Sequence, residues 1–349
     1  MRLFLYEDLC GGGCDEFLEI PSLKTEGLAM LNALIQDFSL ISSAFSGTEP
    51  QLITHWDLRH GSAPFQNSQN LQVVNIEEGQ ADVAFSETLK HCDAVLVVAP
   101  ESGMRLQQLC ELVERSNCRS LNSSSTAIQL CAEKLLFAQH LEHAKITTIP
   151  TSTVLEDLPL SSHYVRKPRD GAGSSGVQLF LEQEARAASL SPVKNTIWQP
   201  FISGQPCSMG CFHNAVTGEL LCLPIAKQQL SEDGRFQYQG GEIPLVTAKR
   251  SAATQLVESL VDSVGGLNGY FGVDMILTSA GEVVLVEVNP RLTTSYVGYR
   301  KMTKSNLAEY FLKLPKAAKI DWGQHITFQP NGETQGRTLN RNERDCGWN

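Results

Sequence analysis

The chain has 349 residues, of which 42% are apolar and 19% charged, a composition that folds and excludes a disordered chain. Its 28 Lys and Arg against 38 Asp and Glu leave a net charge of −10, which disfavours non-specific binding to nucleic acid or anionic membrane but leaves room for a local basic site. At ~100–200 residues per domain, the length predicts two or three domains.

The longest apolar runs, such as 94–100, have strand length and fall far short of a membrane span. The opening Met1 to Glu7 meets an acid at once and lacks the pattern of a signal peptide, so the expected address is the cytoplasm. Residues 2–7 read as a strand, followed by Gly11, Gly12 and Gly13. Leu28, Leu31, Leu34, Ile35 and Phe38 recur at helical spacing and predict a helix over 25–38. A strand at 71–76, a helix at 81–91, a buried strand at 94–99 and a helix at 104–116 follow. This alternation predicts an open α/β domain over 1–120.

A polar cluster at 122–126 precedes a single expected helix, 127–141. Residues 150–162 read as a connector with a short strand. A second α/β region starts at Tyr164, with a helix at 251–264. Strands at 272–277 and 283–288 are joined by the turn Ser279–Ala280–Gly281–Glu282. The polar stretch 329–349 reads as a flexible tail. The 10 cysteines contain no CxxC pair. Cys10/Cys14 and Cys207/Cys211 are spaced CxxxC, which leaves open a metal or redox role or plain buried thiols.

Chemistry concentrates in a few places. A short strand ends in Lys167 and runs into a loop holding Gly171, Gly173, Ser174, Ser175 and Gly176. Such a loop frees backbone N–H groups to wrap a phosphate, with the lysine as a fixed positive charge. It has neither the Walker ending nor the dinucleotide fingerprint, and an ordinary hairpin loop is the alternative. Further on, Glu287 and Asn289 stand two apart on one strand and so share a face. Asp274 lies on the other strand of the hairpin and can face the same side. Two carboxylates and an amide oxygen suit Mg²⁺, and Arg291 follows within reach of a transferring phosphoryl group. A strand with a polar solvent face is the alternative, but acids among Val284, Leu285, Val286 and Val288 are costly without a partner. Between these segments, Gln199–Pro200–Phe201–Ile202 forms the end of an apolar strand, whose backbone can offer an adenine edge a donor and an acceptor.

In this order the segments resemble the ATP-grasp superfamily, over about 115–310. The resemblance implies an α/β ATP-grasp fold: an N-terminal pre-ATP-grasp domain (1–120) and two α+β subdomains clasping ATP (121–205 with a linker helix, 206–328 with the metal site). It assigns Lys134 and Lys167 to the α/β-phosphates and the 171–176 loop to the β/γ-phosphates. It assigns Gln199 to Ile202 to adenine, with Gln199 where many members have Glu. Asp274, Glu287 and Asn289 fall to Mg²⁺ or Mn²⁺, and Arg291 to the transferred group, Arg291 and Lys167 being the catalytic pair. Two stretches, Leu5 to Gly13 and Asn289 to Gly298, resemble the tyramine–glutamate ligase group of methanofuran biosynthesis.

The implied reaction is ADP-forming amide synthesis from a carboxylate and an amine through an acylphosphate. Glutamate and a tyramine-like amine are the expected substrates, in a methanofuran-type one-carbon cofactor pathway. The implied partners are small molecules rather than nucleic acid or membrane, with a homodimer as a compatible assembly. The alternatives are a dipeptide or D-alanine–D-alanine-type ligase, or an ATP-binding module without turnover. Glu7 with Gly11 to Gly13 and the hydroxyls of Thr293, Thr294 and Ser295 are candidate substrate contacts. Arg300 and Lys301 are candidates for a substrate carboxylate, and 239–242 for a second mobile loop.

Overall fold

Residues 1–13, 21–41, 49–171, 173–312, 320–340 and 343 are described by the computed structural model. The first 120 residues build a five-stranded sheet. Its strands are β1 (Arg2–Glu7), β2 (Gln51–Asp57), β3 (Leu71–Ile76), β4 (Ala94–Val98) and β5 (Arg119–Ser120), in the order β3-β2-β1-β4-β5 and all parallel. Helices α1 (Pro21–Ser39), α2 (Ala81–Leu89) and α3 (Arg105–Glu114) make the crossovers. Residues 94–98 are buried throughout, as expected of a parallel strand covered on both faces. The chain leaves β1 towards β2 and β3, then returns to the other side of β1 with β4. The carboxyl ends of β1 and β4 therefore flank the switch point, where such sheets open a crevice.

The expected single helix at 127–141 is two helices, α4 (Ser125–Ala132) and α5 (Lys134–His143). Glu133 between them is extended (φ −92°, ψ 96°), and its carboxylate accepts from the Leu135 and Leu136 N–H groups. It is a side-chain cap in the middle of what reads as one periodic run.

Strands β6 (His163–Pro168), β7 (Gln178–Leu181) and β8 (Thr196–Pro200) form a small antiparallel sheet, ordered β7-β6-β8 and backed by α6 (Glu182–Ser189). Its core is a separate small cluster of Leu155, Leu158, Tyr164, Ala185 and Trp198. The remaining strands are β9 (Gly204–His213), β10 (Leu220–Cys222), β11 (Ala226–Leu230), β12 (Tyr238–Ile243), β13 (Gly269–Thr278), β14 (Val283–Asn289), β15 (Gln324–Phe328) and β16 (Thr334–Thr338). They form an eight-stranded sheet, β14-β13-β9-β11-β12-β15-β16, with β10 also on β9. Helices α7 (Arg250–Ser263) and α8 (Ser295–Met302) belong to this part of the chain.

Two expectations change here. The stretch after 329 is not a loose tail over its described part: β16 pairs along the whole of β15. Its polar residues fit an edge strand, half of which faces water. Residues 239–242 are not a loop either but lie inside β12, between β11 and β15. Gly240 (φ +111°) is there because a Cβ would stand 2.2 Å from the Phe328 carbonyl oxygen.

The first and last parts of the chain share one core. Leu3, Leu5, Leu34 and Phe38 pack in the same cluster as Phe212, Tyr270, Tyr296, Phe311 and Phe328, and the Phe38 and Phe311 rings lie 5.8 Å apart. Asp37 of α1 reinforces this join. It accepts from the Tyr296 hydroxyl at 2.8 Å and takes a two-point ion pair from Arg300. Arg300, a candidate for a substrate carboxylate, is therefore a brace between α1 and α8; Lys301 is exposed. Among the described cysteines, Cys10, Cys207 and Cys211 are buried free thiols, while Cys14 lies outside the described residues.

Candidate active site

The β13–β14 hairpin sets the register of the site. Asp274 stands directly opposite Glu287, and Asn289 opposite Gly272, so all three side chains share one face. The register slips after Asp274, so that Met275 pairs with Leu285, and this bulge leaves Val286 unpaired beside Glu287. Asp274 accepts from Asn289 Nδ2 at 3.1 Å and from Gln228 Nε2 at 2.9 Å. Burial, and then the Glu287 carboxylate, push the Asp274 carboxyl up to about 7. Among the described residues neither acid has a Lys, Arg or His within ion-pair distance. Two half-buried carboxylates held face to face without a basic partner have the donor set of a hard divalent cation. Among the described residues no three His, Cys, Asp or Glu cluster for a metal, so this fit rests on two carboxylates and the Asn289 amide oxygen.

Lys167 closes the site from the small sheet. It is 6% exposed, at the end of β6. Burial pushes its ammonium down to about 8, against the attraction of Glu287 and Asp274 and with repulsion from Lys134. Lys134 lies at the start of α5, and its Nζ donates to the Gly171 carbonyl at 3.0 Å. The adjacent Arg169 makes a two-point ion pair with Glu133 at 2.8 and 3.0 Å. The glycine loop is thus tied to the linker helix at its entry. Further along, Ser174 Oγ donates to the Phe236 carbonyl at 2.9 Å, and the Gly103 N–H reaches Asp170 at 3.2 Å. The structure thus brings Lys167, Lys134, Asp274 and Glu287 within electrostatic reach of one another, with the entry of the loop held on Lys134.

The hinge differs in detail from expectation. The Phe201 N–H donates to the His163 carbonyl at 2.9 Å and so is spent within the sheet. Gln199 is buried, with its amide donating to Thr151 at 2.8 Å. The Phe201 ring, by contrast, stacks on Phe236 at 5.9 Å and stays partly exposed to solvent.

Arg291 crosses to the first sheet. Its guanidinium pairs with Glu101, just beyond β4, at 2.8 and 2.9 Å. Burial works against this charge, but Glu101, then Glu26 and Glu287, outweigh it and hold Arg291 charged. Arg291 therefore links the carboxyl end of β4 to the acidic trio, whose Glu287 is close enough to act on its charge. Glu7, at the end of β1, is buried against α1; its carboxylate accepts from the Cys10 N–H at 2.7 Å and is pushed up to about 7 by burial. The next residue, Asp8, is paired with Arg105. Gln228, Glu101, Glu26 and Tyr238 were not legible as site residues. They lie in unremarkable local sequence, and only the folding of distant segments brings them together.

Among the described residues no helix is long and apolar enough to cross a membrane. The pre-ATP-grasp domain family matches residues 51–128, and the ATP-grasp domain family matches residues 131–295. The chain is 27% identical over 336 residues to the tyramine–L-glutamate ligase of Methanocaldococcus fervens, covering 95% of this chain and 98% of that one. A D-alanine–D-alanine ligase of Parabacteroides distasonis is 29% identical, over only 38% of this chain. Among solved structures, an ATP-grasp superfamily protein from Archaeoglobus fulgidus superposes with a TM-score of 0.72 at 23% identity, covering 94% of this chain and 92% of that one. An L-amino acid ligase from Bacillus licheniformis superposes at 0.66 with 16% identity, covering 93% and 78%. A crossover sheet, a small lid sheet with its glycine loop and an acidic hairpin thus occur together in a chain that belongs to the ATP-grasp superfamily.

Proposed function

We propose that this protein is an ATP-dependent, ADP-forming carboxylate–amine ligase that joins glutamate to a tyramine-like amine. The observation that carries the reading is the Asp274–Glu287 pair, uncompensated and facing Lys167, in a chain similar along nearly its whole length to tyramine–L-glutamate ligases. The proposed domains are 1–120, 121–205 and 206–328. Methanofuran-type cofactor synthesis is the proposed context and the cytoplasm the proposed address, with a homodimer as the assembly to test by light scattering.

Direct attack of an amine on a carboxylate fails because the leaving group would be oxide. Phosphorylating the carboxylate supplies a leaving group, so the protein's task is to position the reactants and offset charge. In this reading Lys134 and Lys167 hold the α- and β-phosphates. Gly171, Gly173, Ser174, Ser175 and Gly176 cover the β- and γ-phosphates and keep water from the acylphosphate. Gln199, Pro200, Phe201 and Ile202 form the adenine seat, the Phe201 ring contributing its face. Asp274, Glu287 and Asn289 would hold Mg²⁺ or Mn²⁺, which when bound would supply positive charge to offset that of the phosphates. Arg291 turns from Glu101 to the transferred phosphoryl group and steadies its developing charge.

The test is ADP formation from Mg²⁺-ATP and glutamate, with and without tyramine or other aryl- and alkylamines. ADP release is expected only when both organic substrates are present. Turnover with D-alanine in place of both would favour the dipeptide-ligase alternative, which the short D-alanine–D-alanine ligase match supports.

A further inference from the structure

We propose that Glu26, on the first helix, seats the ammonium group of the amine substrate and accepts its first proton, an assignment that rests on the ligase reading above. The other carboxylates around the switch-point crevice are already committed. Glu7 accepts from the Cys10 N–H, Asp8 is paired with Arg105, and Glu101 is paired with Arg291. Asp274 and Glu287 form the acidic pair of the hairpin. Glu26 is different. Its Oε2 accepts from the Thr294 hydroxyl at 2.8 Å, and among the described residues no basic side chain comes within ion-pair distance of it.

Its position fits the chemistry. Thr294 lies three residues beyond Arg291 on the same turn into α8, and Arg291 is close enough to act on the Glu26 charge. Tyr238 is raised first by burial and then by both Glu26 and Asp274, so its phenol is near both carboxylates. Glu26 therefore lies near Arg291 and, through Tyr238, on the same side as Asp274, carried by the first helix of the N-terminal domain. Burial outweighs Thr294 and Arg291 and raises the Glu26 carboxyl above its usual range. A half-buried carboxylate that lacks a cation matches a substrate that arrives as a cation. The step balances. The ammonium gives one proton to Glu26, and the freed lone pair forms the C–N bond at the acyl carbon. The C–O bond to phosphate breaks, and the departing phosphate keeps that electron pair and takes the second nitrogen proton.

The test compares wild type, Glu26→Gln and Glu26→Asp with Mg²⁺-ATP and glutamate near neutral pH, using tyramine or hydroxylamine as nucleophile. Hydroxylamine is uncharged there and needs no ammonium seat. Glu26→Gln should lower kcat/KM for tyramine by ~10²-fold, the usual scale for losing one partner of a buried charge pair. Hydroxamate formation and the KM for ATP should change far less than the tyramine rate, and Glu26→Asp should restore part of that rate. Unchanged tyramine kinetics in Glu26→Gln, or an equal loss of hydroxamate, overturns the assignment. If Glu26→Gln does not fold, Glu26→Asp is read in the same way, a selective loss with tyramine supporting the seat and no selectivity overturning it. Wild-type protein that makes neither amide nor hydroxamate overturns the ligase reading itself, an outcome distinct from an active enzyme indifferent to Glu26.

Discussion

Arg291 and Glu101 meet across the cleft in a two-point ion pair at 2.8 and 2.9 Å, one from the loop after β14 and one from the loop after β4. The Arg291 side chain is only 14% exposed and that of Glu101 only 6%. Removing one partner of such a pair strands a buried charge. Glu101→Ala should cost ~3–5 kcal/mol, measured as a shift of the urea midpoint. Because the carboxylate competes with phosphate for the guanidinium, nucleotide affinity should move less than stability.

Asp274→Asn should act in opposite directions with and without ligand. In the free protein it removes one of two facing acids, so the melting temperature at pH 8 should hold or rise. With Mg²⁺ and a non-hydrolysable ATP analogue, the stabilisation that a bound ligand gives by mass action should vanish. Thermal melts with and without Mg²⁺ check both arms. A loss of stability in the free protein would count against the repulsion.

The pH dependence of the free protein follows from the same carboxyls. Folding raises Glu7 and Asp274 to about 7, so between about pH 4 and 7 the native state binds more protons than the unfolded chain. Stability is then highest at the acid end and falls as pH rises through 7. The shift at Glu7 corresponds to an order of ~3 kcal/mol at most. Glu7→Gln should flatten the decline in melting temperature between pH 5 and 8. A slope identical to wild type would show that Glu7 ionises freely.

Lys167 titrates in the opposite sense. Burial holds its ammonium down to about 8, below its unfolded value. Nucleotide affinity of the wild type should therefore weaken as pH passes from 7 to 9. Lys167→Arg keeps its charge over that range and should bind with a flat profile. Calorimetric titration with the ATP analogue measures both.

Gly27 sits inside α1 at a point where helix propensity alone favours alanine by ~0.5–1 kcal/mol. A Cβ there would stand 2.5 Å from Glu7 Oε1, and that carboxylate is held by the Cys10 N–H. Gly27→Ala should therefore lose stability instead of gaining it. In combination with Glu7→Ala, which clears the space, the penalty should disappear.

The sequence discloses what local pattern can carry. Strands β1 and β3 lie where alternation and apolar runs put them, and the acidic hairpin is legible because Glu287 and Asn289 are two apart and a glycine turn follows Asp274. What it hides is non-local. Glu133 breaks a helix that periodicity draws as continuous, because its side chain satisfies the next turn's N–H groups. Gly240 reads as loop although it is a strand residue pressed against the Phe328 carbonyl. Gln228 and Glu101 enter the site only through pairing between elements far apart in sequence.

The small sheet that carries the glycine loop has its own five-residue apolar cluster, whereas the first and last sheets are fused through a common core around Phe38 and Phe311. The two halves of the clamp are thus mechanically unequal. The small sheet is joined to the rest by individual ties such as Ser174 to Phe236, Gly103 to Asp170 and the Phe201–Phe236 stack, and its buried apolar cluster is its own. The acidic hairpin, in contrast, belongs to the large sheet, whose other strands share the core of the first sheet.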